Sequence, residues 1–285
     1  MPHHPPFRKR LLIDGSPGAT TLLLPAAHCA IPSFDVVLAA DTGWFLDQSL
    51  DHLNVLRRIA TGAGMDWVRA HTGDTARDSL NGVRVPLPLH TLTADNTYGR
   101  LAQGCARRQG VALRSAVRHQ LGHPRPTPAP EGVAAECTTG TALDQAHAPP
   151  PAGPHYVRHR HPVVHIGWTS TDCRALLAHH EPPTDLDLAC LACPMRSNRS
   201  WRYLRTTDRA AFAEAVAVDT ALRHAHPDPA PHGMPPGTLF FLHPDRVPLD
   251  QADLSPNTGP QLSGCMPRAC RSEGDGTWQT KGGNR

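Results

Sequence analysis

Residues Arg10–Trp44 read RLLIDGSPGATTLLLPAAHCAIPSFDVVLAADTGW, and this stretch decides the fold. Leu11, Leu12 and Ile13 form a short apolar run of the kind a buried parallel strand shows. Asp14-Gly15-Ser16-Pro17-Gly18 is turn chemistry. Thr20 to Ala30 can carry a helix, which Pro25 must kink or end. Phe34 to Ala40 is a second apolar run, in which Val36 and Val37 favour strand, and it stops at Asp41-Thr42-Gly43-Trp44. Strand, helical crossover and strand make a βαβ unit. Its first turn offers backbone N–H groups to a phosphate at a helix N-terminus. Its second strand ends at the edge where open α/β sheets bind ligands.

Working outward, Asp47 to Ala60 has apolar residues near helical spacing, and Met65 to Ala70 reads as a third strand before His71-Thr72-Gly73-Asp74. The first 75 residues thus read β-α-β-α-β, which predicts an α/β fold with a parallel sheet flanked by helices. Leu113 to Leu121 is a helix closed by Gly122. His123 to Pro154 contains HPRPTPAP and APPPAGP and predicts a loop-rich connection or flap. Structure resumes near His161–His165, with a short helix around Arg174 to His179 and a longer one from Asp208 to His224. The expected organisation is a disordered lead-in over residues 1–9, an α/β core over 10–122, and a Pro-rich loop over 123–154. A cysteine-bearing part of the same domain follows over 155–254, and then a flexible tail over 255–285.

Composition narrows the function classes. Among 285 residues the formal net charge is +3 with neutral histidines, which gives no electrostatic footprint for nucleic acid. No apolar run approaches the roughly 20 residues of a membrane helix. The basic N-terminus breaks at LLIDG too soon for a signal peptide, so a cytoplasmic location is expected. Eight cysteines then read better as metal ligands or redox thiols than as a disulfide framework.

The stretch from Ala39 to Trp44, AADTGW, together with CLACP at Cys190–Pro194 and the Trp201-Arg202 pair, resembles the phosphoadenosine phosphosulfate (PAPS) reductase-like branch of the N-type ATP pyrophosphatases, the adenine nucleotide alpha hydrolase-like superfamily. The likeness runs over about residues 10 to 254 and takes in AHTGDTARDSL, Cys105, TALDQA and the closing FFLH…VPL. It implies a Rossmann-like fold and an adenine nucleotide, ATP or PAPS with Mg²⁺. The implied chemistry is adenylylation with pyrophosphate release, or reduction of nucleotide-bound sulfate. It also implies an acceptor substrate or electron donor that the sequence does not identify. The chain departs from the family's SGGxDS loop: Gly18-Ala19 stand where the family has an acidic or amide residue and its serine. Gln109-Gly110 stand where it has tyrosine and lysine. A relative that keeps the fold and has lost catalysis, acting as a binding or regulatory module, is the alternative.

The nucleotide-binding candidates are therefore Gly15, Ser16, Gly18, Thr20 and Thr21 in the loop, Asp41 and Thr42 at the second strand end, and Arg107 and Arg108 as phosphate clamps. Asp41 also offers oxygen to Mg²⁺. The plainer alternatives are an ordinary β–α turn, a helix-entry turn and solvated surface charges. Cys190 and Cys193, three positions apart, can reach one metal. The resemblance adds Cys105 and Cys173, a four-cysteine set suited to a 4Fe-4S cluster or Zn²⁺. The alternative there is a group of buried, inert thiols. Trp201 reads as core, and Cys29, Cys137, Cys265 and Cys270 have no supporting context.

Overall fold

The structure is a computed structural model that describes residues 8–81, 87–102, 104–146, 153–178, 190–224 and 233–255. Its first unit is β1 (Lys9–Ile13), α1 (Pro17–Ala27) and β2 (Val36–Asp41), followed by α2 (Asp47–Gly62) and β3 (Asp66–His71). The strands pair in parallel, Leu11 opposite Val37 and Asp41 opposite His71. Lys9 already belongs to β1, so the expected lead-in ends at least one residue earlier; residues 1–7 lie outside the described set. Ser16 caps α1, its hydroxyl accepting from the Ala19 N–H at 3.2 Å, and Pro17 takes the first helical position, where a missing N–H costs nothing. Pro25 falls in the last turn and α1 ends two residues later.

After α3 (Thr75–Asn81), β4 (His90–Leu92) and β5 (Tyr98–Arg100), a long helix α4 (Gly104–Gln120) returns across the sheet. It begins nine residues before the expected Leu113, because Cys105 and Gln109 are buried in its first turns, and Gly122 follows its end. The loop expected over 123–154 is corrected by β6 (Ala135–Thr139), which pairs in parallel with β1. Prolines on both sides mask it, but Ala135 and Cys137 are buried against α4's side of the sheet. β7 (Val157–Arg160) completes a five-stranded parallel sheet in the order β3-β2-β1-β6-β7. Alternate residues face alternate layers. Leu11, Ile13, Val37 and Ala39 pack with α1 and α2, whereas Val36, Leu38, Ala135 and Cys137 pack with Val117 of α4 and with Leu121 just after it. α1 is apolar nearly all round because it lies between the sheet, α2 and a later helix, α6 (Ser170–Leu177), which follows the short α5 (Pro162–His165).

The remaining residues form a second layer. α7 (Asn198–Thr207) and α8 (Arg209–His224) pack on a small antiparallel sheet, β5-β4-β8, whose last strand is β8 (Leu239–Phe241). Its core includes Trp201, Leu204, Leu222 and Phe240, so Trp201 is core as read. Asp219, fully buried, accepts the Leu242 and Leu249 N–H groups at 2.9 and 3.0 Å and pairs with Arg223. His243 takes the Asp245 N–H on Nδ1, so its Nε2–H donates to Asn198 Oδ1 at 3.0 Å. Both satisfy buried polar groups within this layer. Among the described residues, no helix is long and apolar enough to cross a membrane.

Candidate functional site

The site lies where the parallel strands end. β2 delivers Asp41 and Thr42, and Gly43 adopts φ +70°, a left-handed turn that glycine accepts without strain. The turn sends Trp44 into the core of the second layer. Thr42 Oγ1 shares a hydrogen bond with Cys190 Sγ at 3.2 Å, the Leu191 N–H donates to the Trp44 carbonyl at 2.9 Å, and Phe45 forms a bridge with Cys190. AADTGW and CLACP therefore meet directly.

Around that meeting point, Cys105 from the first turn of α4, Cys190, Cys193 and Met195 form one buried cluster. Burial pushes the Cys190 thiol up to about 12, Cys193 adds to the effect, and the Thr42 hydroxyl and Arg196 offset only part of it. Arg196 is buried, donates to the Cys190 carbonyl at 3.0 Å and stacks over Trp201. Arg100 donates to Met195 Sδ at 3.4 Å. His90 donates from Nε2 to the Pro194 carbonyl at 3.4 Å, and burial pushes its pKa down to about 3, so the ring is neutral. Cys173 is elsewhere: it belongs to the α1–α6 layer, where burial raises its thiol and the Thr21 hydroxyl partly counters this. The four cysteines are thus not brought together. Among the described residues no group of three or more His, Cys, Asp or Glu side chains is arranged to hold a metal ion. The donor set does not fit a four-cysteine centre.

The loop after β1 is enclosed. Gly15 turns with φ +70° and the Ser16 N–H donates to Asp14 Oδ1 at 3.0 Å. The Thr20 hydroxyl donates to the Ser16 carbonyl at 3.0 Å, and Thr21 faces α6 rather than the sheet edge. Gly18 lies against Gly140, just past β6: a Cβ on Gly18 would stand 1.8 Å from the Gly140 oxygen, and one on Gly140 would stand 2.0 Å from the Ala19 nitrogen. β1 and β6 flank the point where strand order reverses, which is where such sheets open a ligand crevice. Here backbone fills it. Gly18 acts as a close-packing residue.

Asp41 is also committed. Its Oδ1 accepts the Gly43 N–H at 2.8 Å, and its Oδ2 meets Arg69 Nε at 2.9 Å and His71 Nδ1 at 3.2 Å. Burial alone would raise its pKa, but the Gly43 N–H, His71 and Arg69 together hold it below the ordinary carboxylate value. A carboxylate whose oxygens already serve an amide, a guanidinium and an imidazole is not positioned as a Mg²⁺ ligand. Arg108 pairs with Asp78 of α3, and Arg107 is exposed. The sequence gives neither Arg69 nor His71 a place in the site, although parallel pairing of β2 with β3 sets residue 71 beside residue 41.

No family model matches the chain, and no curated protein matches it. Among solved structures the chain is similar to that of the U34-tRNA thiolase NcsA from Methanococcus maripaludis with its [4Fe-4S] cluster. The identity is 13%, over 93% of this chain and 80% of that chain, with a TM-score of 0.35.

Proposed function

We propose that the chain is an adenine-nucleotide-dependent enzyme of the PAPS reductase-like kind, which transfers an adenylyl group and releases pyrophosphate. The observation that supports this reading is the Thr42–Cys190 contact, which unites at one sheet edge the two segments that most resemble that family. In this reading the nucleotide lies outside the C-terminal ends of β1 and β2, beyond the enclosed Gly15–Thr21 loop, with Arg107 as a phosphate clamp, and the protein contributes position and electrostatic stabilisation. Reduction of nucleotide-bound sulfate is the less supported chemistry. A thiol pushed up to about 12, as Cys190 is, carries almost no thiolate at neutral pH, and the thiolate is the nucleophile. Cys105, Cys190 and Cys193 act instead as a buried staple between the two layers.

A second reading is favoured by the Gly18–Gly140 contact and by the internal use of the Ser16 and Thr20 hydroxyls: a relative that keeps the fold as a binding or regulatory module. Calorimetric titration of anaerobically purified protein with Mg·ATP separates the two. The enzyme reading expects micromolar binding that weakens at least tenfold in Arg107→Ala. A folded protein with no detectable heat overturns it in favour of the module.

A further inference from the structure

The CLACP segment folds as a turn. The Cys193 N–H donates to the Cys190 carbonyl at 3.3 Å, so the two cysteines are the first and last residues of a β-turn. The Cα atoms of such residues lie within about 7 Å of each other. Disulfides span Cα separations of about 4.4–6.8 Å, so the spacing suits a bond between these two sulfurs. Both thiols are free, and both are buried in one cluster with Met195 and Cys105. Cys105 stands on a separate element, α4, and is the thiol left over when the turn closes on itself.

Both flanks of the turn are pinned. The Arg196 guanidinium donates to the Cys190 carbonyl at 3.0 Å, and the Leu191 N–H donates to the Trp44 carbonyl at 2.9 Å. Just beyond, Ser197 caps α7, its hydroxyl accepting the Ser200 N–H at 3.1 Å. The backbone therefore holds its shape with no bond between the thiols, and joining them calls for side-chain rotation rather than a new fold. The Cys190 sulfur also meets Thr42 Oγ1 at 3.2 Å, so a change in its bonding is felt at the end of β2.

We propose that Cys190 and Cys193 form an oxidative modification site, at which hydrogen peroxide converts the two thiols of the folded protein into a disulfide across the turn. The inference stands apart from the nucleotide reading and holds for an enzyme and for a binding module alike. The Cys193 sulfur attacks one peroxide oxygen, the O–O bond breaks, and water leaves a sulfenic acid behind. The Cys190 sulfur then attacks that sulfur, the S–O bond breaks, and the hydroxyl leaves with the Cys190 proton as a second water. The two thiols lose two electrons and two protons, which the peroxide takes up. Cys190 takes the second step because burial keeps it protonated, which makes it a poor first nucleophile, and because that step is intramolecular. A disulfide carries no S–H, so after oxidation the Thr42 hydroxyl can only donate to the Cys190 sulfur. Oxidation thereby fixes the direction of the hydrogen bond that joins AADTGW to CLACP.

The test uses the full chain, prepared anaerobically and treated with millimolar hydrogen peroxide in native buffer. The peroxide is quenched with catalase, the remaining thiols are blocked under denaturing conditions, and the digest is mapped by mass spectrometry. The expected product is a peptide that holds Cys190 and Cys193, carries no blocking group and is two hydrogens lighter than the dithiol. Dithiothreitol should restore the dithiol. Cys105→Ser should give the same product, and Cys193→Ser should leave Cys190 outside any disulfide. Three results in the wild-type protein each overturn the proposal: a cross-link from Cys105 to Cys190 or Cys193, sulfinic or sulfonic acid at Cys190 or Cys193 in place of the disulfide, or both thiols intact while the exposed Cys29 is oxidised. All three are read without a substitution, so a variant that fails to fold does not blunt the test.

Discussion

Thr42 Oγ1 and Cys190 Sγ lie 3.2 Å apart although 148 residues separate them. The contact is buried and ties the end of β2 to the cysteine segment. Thr42→Val keeps the shape and removes the hydroxyl, so it should cost about 1 kcal/mol in urea unfolding. Under the enzyme reading it should also weaken Mg·ATP. A loss of stability with unchanged ATP affinity would leave Thr42 a purely structural residue.

Gly18 and Gly140 permit each other's backbone. A Cβ on either would enter atoms of the other strand–loop at about 2 Å, where real Cβ atoms do not occur. Gly18→Ala or Gly140→Ala should therefore destabilise the protein by about 3 kcal/mol, at the upper end of overpacking costs. Denaturant midpoints check this. A change smaller than about 1 kcal/mol at both positions would show that the β6 loop moves aside freely.

Asp41 makes stability depend on acid. Its folded pKa is lowered from the ordinary 3.8, so the folded state holds the carboxylate more strongly than the unfolded chain does. That contribution is complete above 3.8 and is lost as pH falls through that value towards the lower folded one. Arg69 and His71 are half-exposed, which keeps the pairing modest, about 1 kcal/mol. Asp41→Asn should therefore be less stable than wild type at pH 7, and the gap should close in strong acid. A gap independent of pH would assign the effect to packing.

Cysteine reactivity separates the thiols. Cys29 is exposed, whereas burial pushes Cys137 up to about 11 and Cys190 up to about 12. Peptide-resolved alkylation at pH 8 should label Cys29 rapidly, and label Cys137 and Cys190 only as the protein unfolds. Rapid labelling of Cys190 in the folded protein would revive the thiol as a nucleophile.

Much of this fold is legible from residue order, and the exceptions have physical causes. The apolar runs at Leu11–Ile13 and Val36–Ala40 need burial on both faces, and the sheet provides it. β6 escapes notice because Ala135, Glu136, Cys137, Thr138 and Thr139 sit between proline-rich segments, and their strand character comes from pairing with β1 rather than from propensity. The first turns of α4 carry Gly104 and Gly110, poor helix formers, and are held by burial of Cys105 and Gln109. In the site, the nearness of AADTGW to CLACP comes from the Thr42–Cys190 and Trp44–Leu191 contacts, which span about 148 residues and leave no local mark in the sequence. The separation of Cys173 and the enclosure of the Gly15–Thr21 loop are equally hidden, because both depend on how α6 and the β6 loop pack. His71 is hidden among 19 histidines and becomes visible only through its register with Asp41.

The Gly18–Gly140 contact also constrains descent. Neither position can acquire a side chain while the other backbone stays in place, so the backbone must move apart before either can change. A side chain at position 18 would first need a β6 loop that had swung outward, so the change that moved the loop would come before the one that filled the space. The two glycines act as a ratchet: once adopted, they make any side chain at either position a two-step path whose first step is destabilising.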